Sequence, residues 1–322
     1  MSQAADVSKG EPPVSTPRSI EVPPGARRIT LQTERGPFAA VEAMPATGVR
    51  ERCPALLVPG FTGSKEDFLP ILRQLSAAGR RVVAIDMRGQ YETQGSPDRD
   101  SYRLEALGAD IAAVAAVILG DPGETASRGL HLLGHSFGGL VVRETVLAKA
   151  DGICSLTLMS SGPGQLTGPA RAVLAAVLEP LRGFARQQLA VQVRRLWEFQ
   201  LAAQARADGT PQDIIDFLGR RMLLSNPDGL VAMAEQLLDC PDRTDELAAS
   251  AQVPILVLYG EYDDKWQTPV QEEMAERLHA ERVCIPGATH SPAVEAPETT
   301  ASILTGFWNT VECTQGRPPR IS

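Results

Sequence analysis

Lysine and histidine are scarce in this chain, and long apolar runs are missing. Of 31 basic residues only Lys9, Lys65, Lys149 and Lys265 are lysines, and there are four histidines. Arginine dominance beside abundant Ala, Gly and Pro reads as the mark of a GC-rich bacterial genome rather than of a binding function. No apolar stretch approaches the ~18 residues a membrane span requires. The longest, Ile111 to Leu119, is half that and follows Asp110. A formal net charge of −8 argues against a nucleic-acid partner or an anionic membrane, since either would meet a repelling surface. The five cysteines are scattered, none forms C-x-x-C, and none clusters with the spacing of a zinc site. They read as free thiols in a reducing cytoplasm, with neither a disulfide framework nor a bound metal.

What is present is the composition of an ordinary folded protein. The chain has 322 residues, 43% of them hydrophobic and 22% charged, which excludes a wholly disordered or fibrous molecule. Residues 1–26 are rich in Ser, Pro, Glu and small side chains, lack a basic-then-apolar leader pattern, and read as a disordered tail. Residues 313–322 read as a second, shorter tail.

Between the tails, short apolar runs alternate with helical patterns. Ile29–Thr33 and Phe38–Met44, split by Gly36-Pro37, predict a hairpin. Six further runs predict strands buried on both faces: Ala55–Val58, Arg81–Asp86, Leu130–Leu133, Ser155–Met159, Ile255–Tyr259 and Arg282–Ile285. Helical spacing appears at 65–78, 102–119, 137–148, 269–279 and 297–311. At the fourth of these, Thr268 is placed as N-cap, Pro269 at the first position and Gln271 as partner in a capping box. The expectation is an α/β fold with a mostly parallel eight-stranded sheet and helices on both faces. From 164 to 250 the patterns are helical only, including Leu181–Ala203 and a run opened by Asn226-Pro227. That stretch reads as a helical cap, or lid, inserted between two parts of the core, 27–163 and 251–312.

The chemistry centres on Gly134-His135-Ser136-Phe137-Gly138, directly after the strand Leu130–Leu133 and directly before a helix. Strand, G-x-S-x-G turn and helix make a nucleophile elbow, whose tight turn forces the serine into strained backbone angles and leaves no room for flanking side chains. A serine hydroxyl needs a base. His131 lies within a buried strand, His135 in the elbow should point away, and His279 sits at a helix C-terminus. His290, in the loop after the last strand, is the candidate base. An acid must orient it, and the loop after Ile255–Tyr259 offers Asp263 first, then Asp264 and Glu261. An oxyanion needs two backbone donors. Phe137 N–H is one, and Phe61 N–H, in the loop Pro59-Gly60-Phe61-Thr62-Gly63-Ser64, is the other.

With these motifs in view the chain resembles the α/β-hydrolase superfamily, in its lidded serine-esterase-like branch, over about residues 27–310. The order Ser136, Asp263, His290 is the order in that family. Residues 86–96, beginning Asp86-Met87-Arg88-Gly89, resemble its D-x-R-G-x-G-x-S loop, with two extra residues expected to reshape the pocket rim. Pro59 stands where such proteins often carry the histidine of a His-Gly pair.

The resemblance implies cofactor-free hydrolysis of a carboxylic ester or lactone, through an acyl-enzyme, on a small-to-medium, largely apolar molecule. Thioester, carbon–carbon or aminoacyl cleavage could use the same triad, and a ligand receptor could retain it. Thr62, Trp197 and Trp266 are the candidates to border the pocket. The dipeptide Trp197-Glu198 is similar to the lid of proline iminopeptidases, while Arg182, Arg186, Arg194 and Arg195 read as a solvated face. Nothing in the sequence specifies an oligomeric state.

Overall fold

Runs of β-branched and leucine residues with no polar interruption can be stable only where both strand faces are covered, and in the structure they form the centre of one sheet. The structure, a computed structural model, describes residues 16–120 and 129–314. Most of each predicted tail, 1–15 and 315–322, lies outside the described residues. The eight strands are β1 (Ala26–Thr33), β2 (Gly36–Ala43), β3 (Ala55–Val58), β4 (Val82–Ile85), β5 (Leu130–His135), β6 (Ile153–Met159), β7 (Ile255–Gly260) and β8 (Glu281–Ile285). Their order across the sheet is β1-β2-β4-β3-β5-β6-β7-β8. β1–β2 and β2–β4 pair antiparallel and all other neighbours pair parallel.

The helices are α1 (Leu69–Ala77), α2 (Leu104–Leu119), α3 (Phe137–Leu147), α4 (Gly168–Leu178), α5 (Arg186–Leu196), α6 (Ala202–Ala207), α7 (Gln212–Leu224), α8 (Pro227–Asp239), α9 (Thr244–Ser250), α10 (Thr268–Arg277), α11 (Pro292–Glu295) and α12 (Pro297–Thr314). Two apolar layers sandwich the sheet. Side chains of α2, α3 and α10 pack on one face, around Leu132, Leu156 and Val257. Those of α1 and α12 pack on the other, around Leu57, Leu133 and Leu258. Such strand alternation sends neighbouring residues to opposite layers. The strand order reverses beside β3, where β4 and β5 flank it. The carboxyl ends at such a switch point open a crevice for a ligand.

Four local expectations need correction. The hairpin turn falls at Glu34-Arg35, and Gly36-Pro37 begin β2. The strand around Arg282–Ile285 is the sheet edge and is largely exposed, so it is not buried on both faces. The helical run expected from Leu181 starts at Arg186 and is interrupted by a π-helical turn at Trp197–Leu201. Thr268 is the first residue of α10 and caps nothing; its hydroxyl donates to the Glu261 carbonyl, and Gln271 turns inward instead. Between β6 and β7 the described chain is helical, α4 to α9, as the patterns at 164–250 predict.

Candidate active site

β5 delivers Ser136 to the carboxyl edge of the sheet and α3 leaves directly from it. Ser136 has φ 54° and ψ −121°, outside the regions an L-residue ordinarily occupies. The turn is feasible because its neighbours have no side chains. A Cβ on Gly134 would strike the Gly138 backbone, and one on Gly138 would strike the carbonyls of Val58 and Pro59.

The loop after β8 brings His290 to the same point. His290 Nε2 lies 2.9 Å from Ser136 Oγ, and His290 Nδ1 lies 2.9 Å from Asp263 Oδ1. Of the three acids weighed, Asp263 alone faces the imidazole. Glu261 accepts the Gly287 N–H, and Asp264 is exposed and paired with Lys265. Asp263 is buried and accepts two further hydrogen bonds, from the Lys265 N–H at 2.9 Å and from Gln271 Nε2 at 3.0 Å. Gln271, completely buried, also donates to the Trp266 carbonyl at 2.7 Å. Sequence reasoning missed that role, having assigned Gln271 to a helix cap.

His135 also sits elsewhere than expected. The sequence reading turned it away from the site, but strand alternation places it on the same face as Leu133, where the loop carrying His290 crosses. Its ring lies 5.0 Å from that of His290, and its Nε2 donates to the His290 carbonyl at 2.7 Å. Burial and the neighbouring imidazole push His135 down to about 4, so the ring is neutral and donates from Nε2. The other two histidines are where they were expected. His131 is buried in β5 between Ser155 and Glu312, and His279 is exposed just beyond α10.

The loop after β3 completes the arrangement. A Cβ on Gly60 would come within 3.0 Å of the Ser136 Cβ, so this backbone lies directly beside the serine. Phe61 N–H and Phe137 N–H have no hydrogen-bond acceptor among the described residues. Gly60 O, in the same peptide unit as Phe61 N–H, accepts from Gly63 N–H at 3.1 Å and from the buried Gln90 side chain at 2.8 Å. Gln90 in turn accepts the Met87 N–H at 3.1 Å. Because a trans peptide points its C=O and N–H in opposite directions, holding Gly60 O in place also aims Phe61 N–H.

Beneath this loop lies a buried ion cluster. Lys65 Nζ is 2.8 Å from Asp86 Oδ2 and 3.2 Å from Glu66, all three side chains being buried. Burial pushes the Asp86 carboxyl up to about 6 despite the lysine. The two extra residues in 86–96 do not shape the pocket rim: no residue of that loop lines the cavity. Tyr91 instead packs edge-on to Phe217 of α7, and its N–H donates to Ser225.

A cavity of about 640 Å³ opens at Ser136 and His290. Its wall is mostly aliphatic, contributed by α4, α5 and α8. Thr62 and Trp266 line it, as expected. Trp197 does not; its indole packs against Gly219 of α7. Glu198 is exposed and faces Arg194. The pair therefore offers no acidic pocket for a substrate amine.

Comparison with known proteins follows the same lines. Over 106 residues the chain is 31% identical to a Variovorax paradoxus protein named as a carbamate hydrolase, covering 33% of this chain and 37% of that one. It is 24% identical over 245 residues to the pimeloyl-[acyl-carrier protein] methyl ester esterase of Aliivibrio salmonicida, covering 74% and 85%. Its fold superposes on a thermophilic esterase from Thermogutta terrifontis with a TM-score of 0.63 at 24% identity, covering 88% of this chain and 99% of the other. The sequence model described as the alpha/beta hydrolase family matches residues 55–303. The chain is a member of the alpha/beta hydrolase family.

Proposed function

We propose that this protein is a serine hydrolase that cleaves a carboxylic ester or lactone of a small-to-medium, largely apolar substrate. The observation that carries this reading is the hydrogen-bonded chain Ser136–His290–Asp263 at the floor of an aliphatic cavity. With Nδ1–H donated to Asp263, the neutral imidazole keeps Nε2 as the acceptor for the serine proton. Ser136 Oγ attacks the carbonyl carbon as His290 takes its proton. The tetrahedral oxyanion receives the N–H groups of Phe61 and Phe137. His290 then protonates the leaving alcohol, giving an acyl-enzyme, and next deprotonates a water that releases the acid. Residues 164–250 act as the cap that supplies the apolar wall, over a core of 27–163 and 251–312. Neither a metal nor an organic cofactor takes part.

Ester cleavage is favoured over aminoacyl cleavage because the two carboxylates beside the triad that line the cavity, Asp67 and Asp264, are already paired with Arg221 and Lys265, and Glu198 stays outside it. The relative named as a methyl ester esterase supports the same choice. Five cysteines in the free thiol form suit a cytoplasmic site of action. A panel of p-nitrophenyl esters, acyl thioesters, lactones and aminoacyl anilides tests the reading. Esters or lactones should be turned over at least tenfold better in kcat/KM than anilides. Preference for anilides, or turnover of none of them, would overturn it.

A further inference from the structure

The net charge of −8 hides a strongly uneven distribution. Residues 168–207, which carry α4, α5 and α6, hold six arginines against two glutamates, a local net of +4 in an acidic chain. The same segment carries six of the ten exposed large apolar side chains among the described residues. Phe199 is 76% exposed and Val173 is 65% exposed, values far from those of side chains that pack.

These groups share faces. Val191, Arg195 and Phe199 follow one another at four-residue intervals along α5 and its π-helical turn, and all three are exposed. Val173 and Val177 stand one turn apart on α4, and with Leu201 they line the cavity while remaining exposed. The exposed rim residues Val173, Val177 and Leu201 and the row Val191, Arg195 and Phe199 thus belong to one segment, 168–207, although the row itself does not line the cavity. Arg182 and Arg194 are tied to Glu179 and Glu198, whereas Arg195 and Arg206 have no carboxylate partner among the described residues.

We propose that the exposed apolar and basic side chains of this segment seat the protein on an anionic lipid surface. A helix lies in a membrane interface when one face inserts aromatic and aliphatic side chains and basic residues flank them, each arginine adding attraction to anionic headgroups. Arginine suits this place, because its alkyl stem covers apolar surface while the guanidinium reaches the phosphates. Charge complementarity selects an anionic lipid over a second copy of this chain, whose corresponding segment would be basic as well. The docking does not rest on the hydrolase reading.

The test is sedimentation of the full chain with vesicles of phosphatidylcholine alone and with roughly one third phosphatidylglycerol. Preferential binding to the anionic vesicles, weakened by added salt, is expected. The double variant Arg195→Glu, Arg206→Glu should partition about tenfold or more weaker, and Phe199→Ser should also weaken binding, both with unchanged circular dichroism. Equal binding to both vesicles, or to neither, overturns the proposal. So does a dimer in light scattering that Phe199→Ser dissociates, which would make the face a contact between copies. Retention on immobilised polyglutamate without vesicle binding overturns it in favour of an acidic protein partner. Hydrolysis of a soluble p-nitrophenyl ester separates the two readings. A parent chain that hydrolyses the ester but binds no vesicle counts against this proposal alone, and one that binds anionic vesicles without hydrolysis counts against the function alone.

Discussion

Replacing Gln90 by leucine tests how the oxyanion loop is held. The Gln90 side chain is buried, donates to Gly60 O at 2.8 Å and accepts the Met87 N–H at 3.1 Å. Leucine removes both bonds and leaves the Met87 donor without its acceptor. The lost bond to Gly60 is worth about 1 kcal/mol and an unsatisfied buried donor about 1–3 kcal/mol, so stability should fall by about 2–4 kcal/mol. A domain of ordinary stability, ~5–15 kcal/mol, survives that loss. The catalytic effect is separate. Losing an oxyanion donor outright costs about 100- to 1000-fold in kcat. Here Gly63 N–H still holds Gly60 O at 3.1 Å, so Phe61 N–H is misaimed rather than removed. We expect kcat on a p-nitrophenyl ester to fall about 10- to 100-fold with KM changed by less than about threefold. Steady-state kinetics beside urea unfolding separates the two effects. A folded variant whose kcat stays within about twofold of the parent would refute the assignment of this peptide as an oxyanion donor.

Three further outcomes follow from the geometry. His135 is held at about 4 in the folded protein against an ordinary value of 6.5, so it contributes stability above pH 6.5 that is lost as the pH falls toward 4. Between pH 7 and pH 4 the parent should lose about 3 kcal/mol more than His135→Gln, which retains a donor for the His290 carbonyl; equal losses in urea unfolding would contradict this. Gln271→Leu removes a hydrogen bond from Asp263 and should lower kcat about 3- to 30-fold, with stability measured alongside to exclude unfolding. Lys65→Met leaves Asp86 as a buried carboxylate without its counter-charge, Glu66 keeping Arg28, and should cost about 3–5 kcal/mol in urea unfolding. A cost under about 1 kcal/mol would show that the cluster contributes nothing to the loop above it.

The parts legible in the sequence were those encoded locally. β5, the elbow and α3 follow one another within 18 residues, and each has a local cause in apolar runs or glycine. The central strands were readable because strands covered on both faces are nearly continuous apolar runs, and the β1–β2 hairpin was readable from its alternation. Gln90 and Gln271 were not readable as site residues, because a glutamine gains such a role only from what the folded chain brings opposite its amide. Gln271 even carried a misleading local signal, since Thr268-Pro269 before it resembles a helix start. His135 was misjudged for a similar reason: the side a strand residue faces is local, but the loop that crosses that side comes from 155 residues further along. The charge total misled in the other direction, because a sum over 322 residues conceals a basic segment of 40.

The central claim is that Ser136 is an activated nucleophile at the floor of the cavity. Labelling with a fluorophosphonate, with ester turnover measured on the same preparation, tests it most directly. The account predicts one equivalent of covalent label on Ser136, loss of turnover in step with labelling, and neither label nor turnover in a folded Ser136→Ala variant. Undiminished ester hydrolysis by Ser136→Ala would contradict it, and so would label without any turnover, which would mark the site as a receptor's.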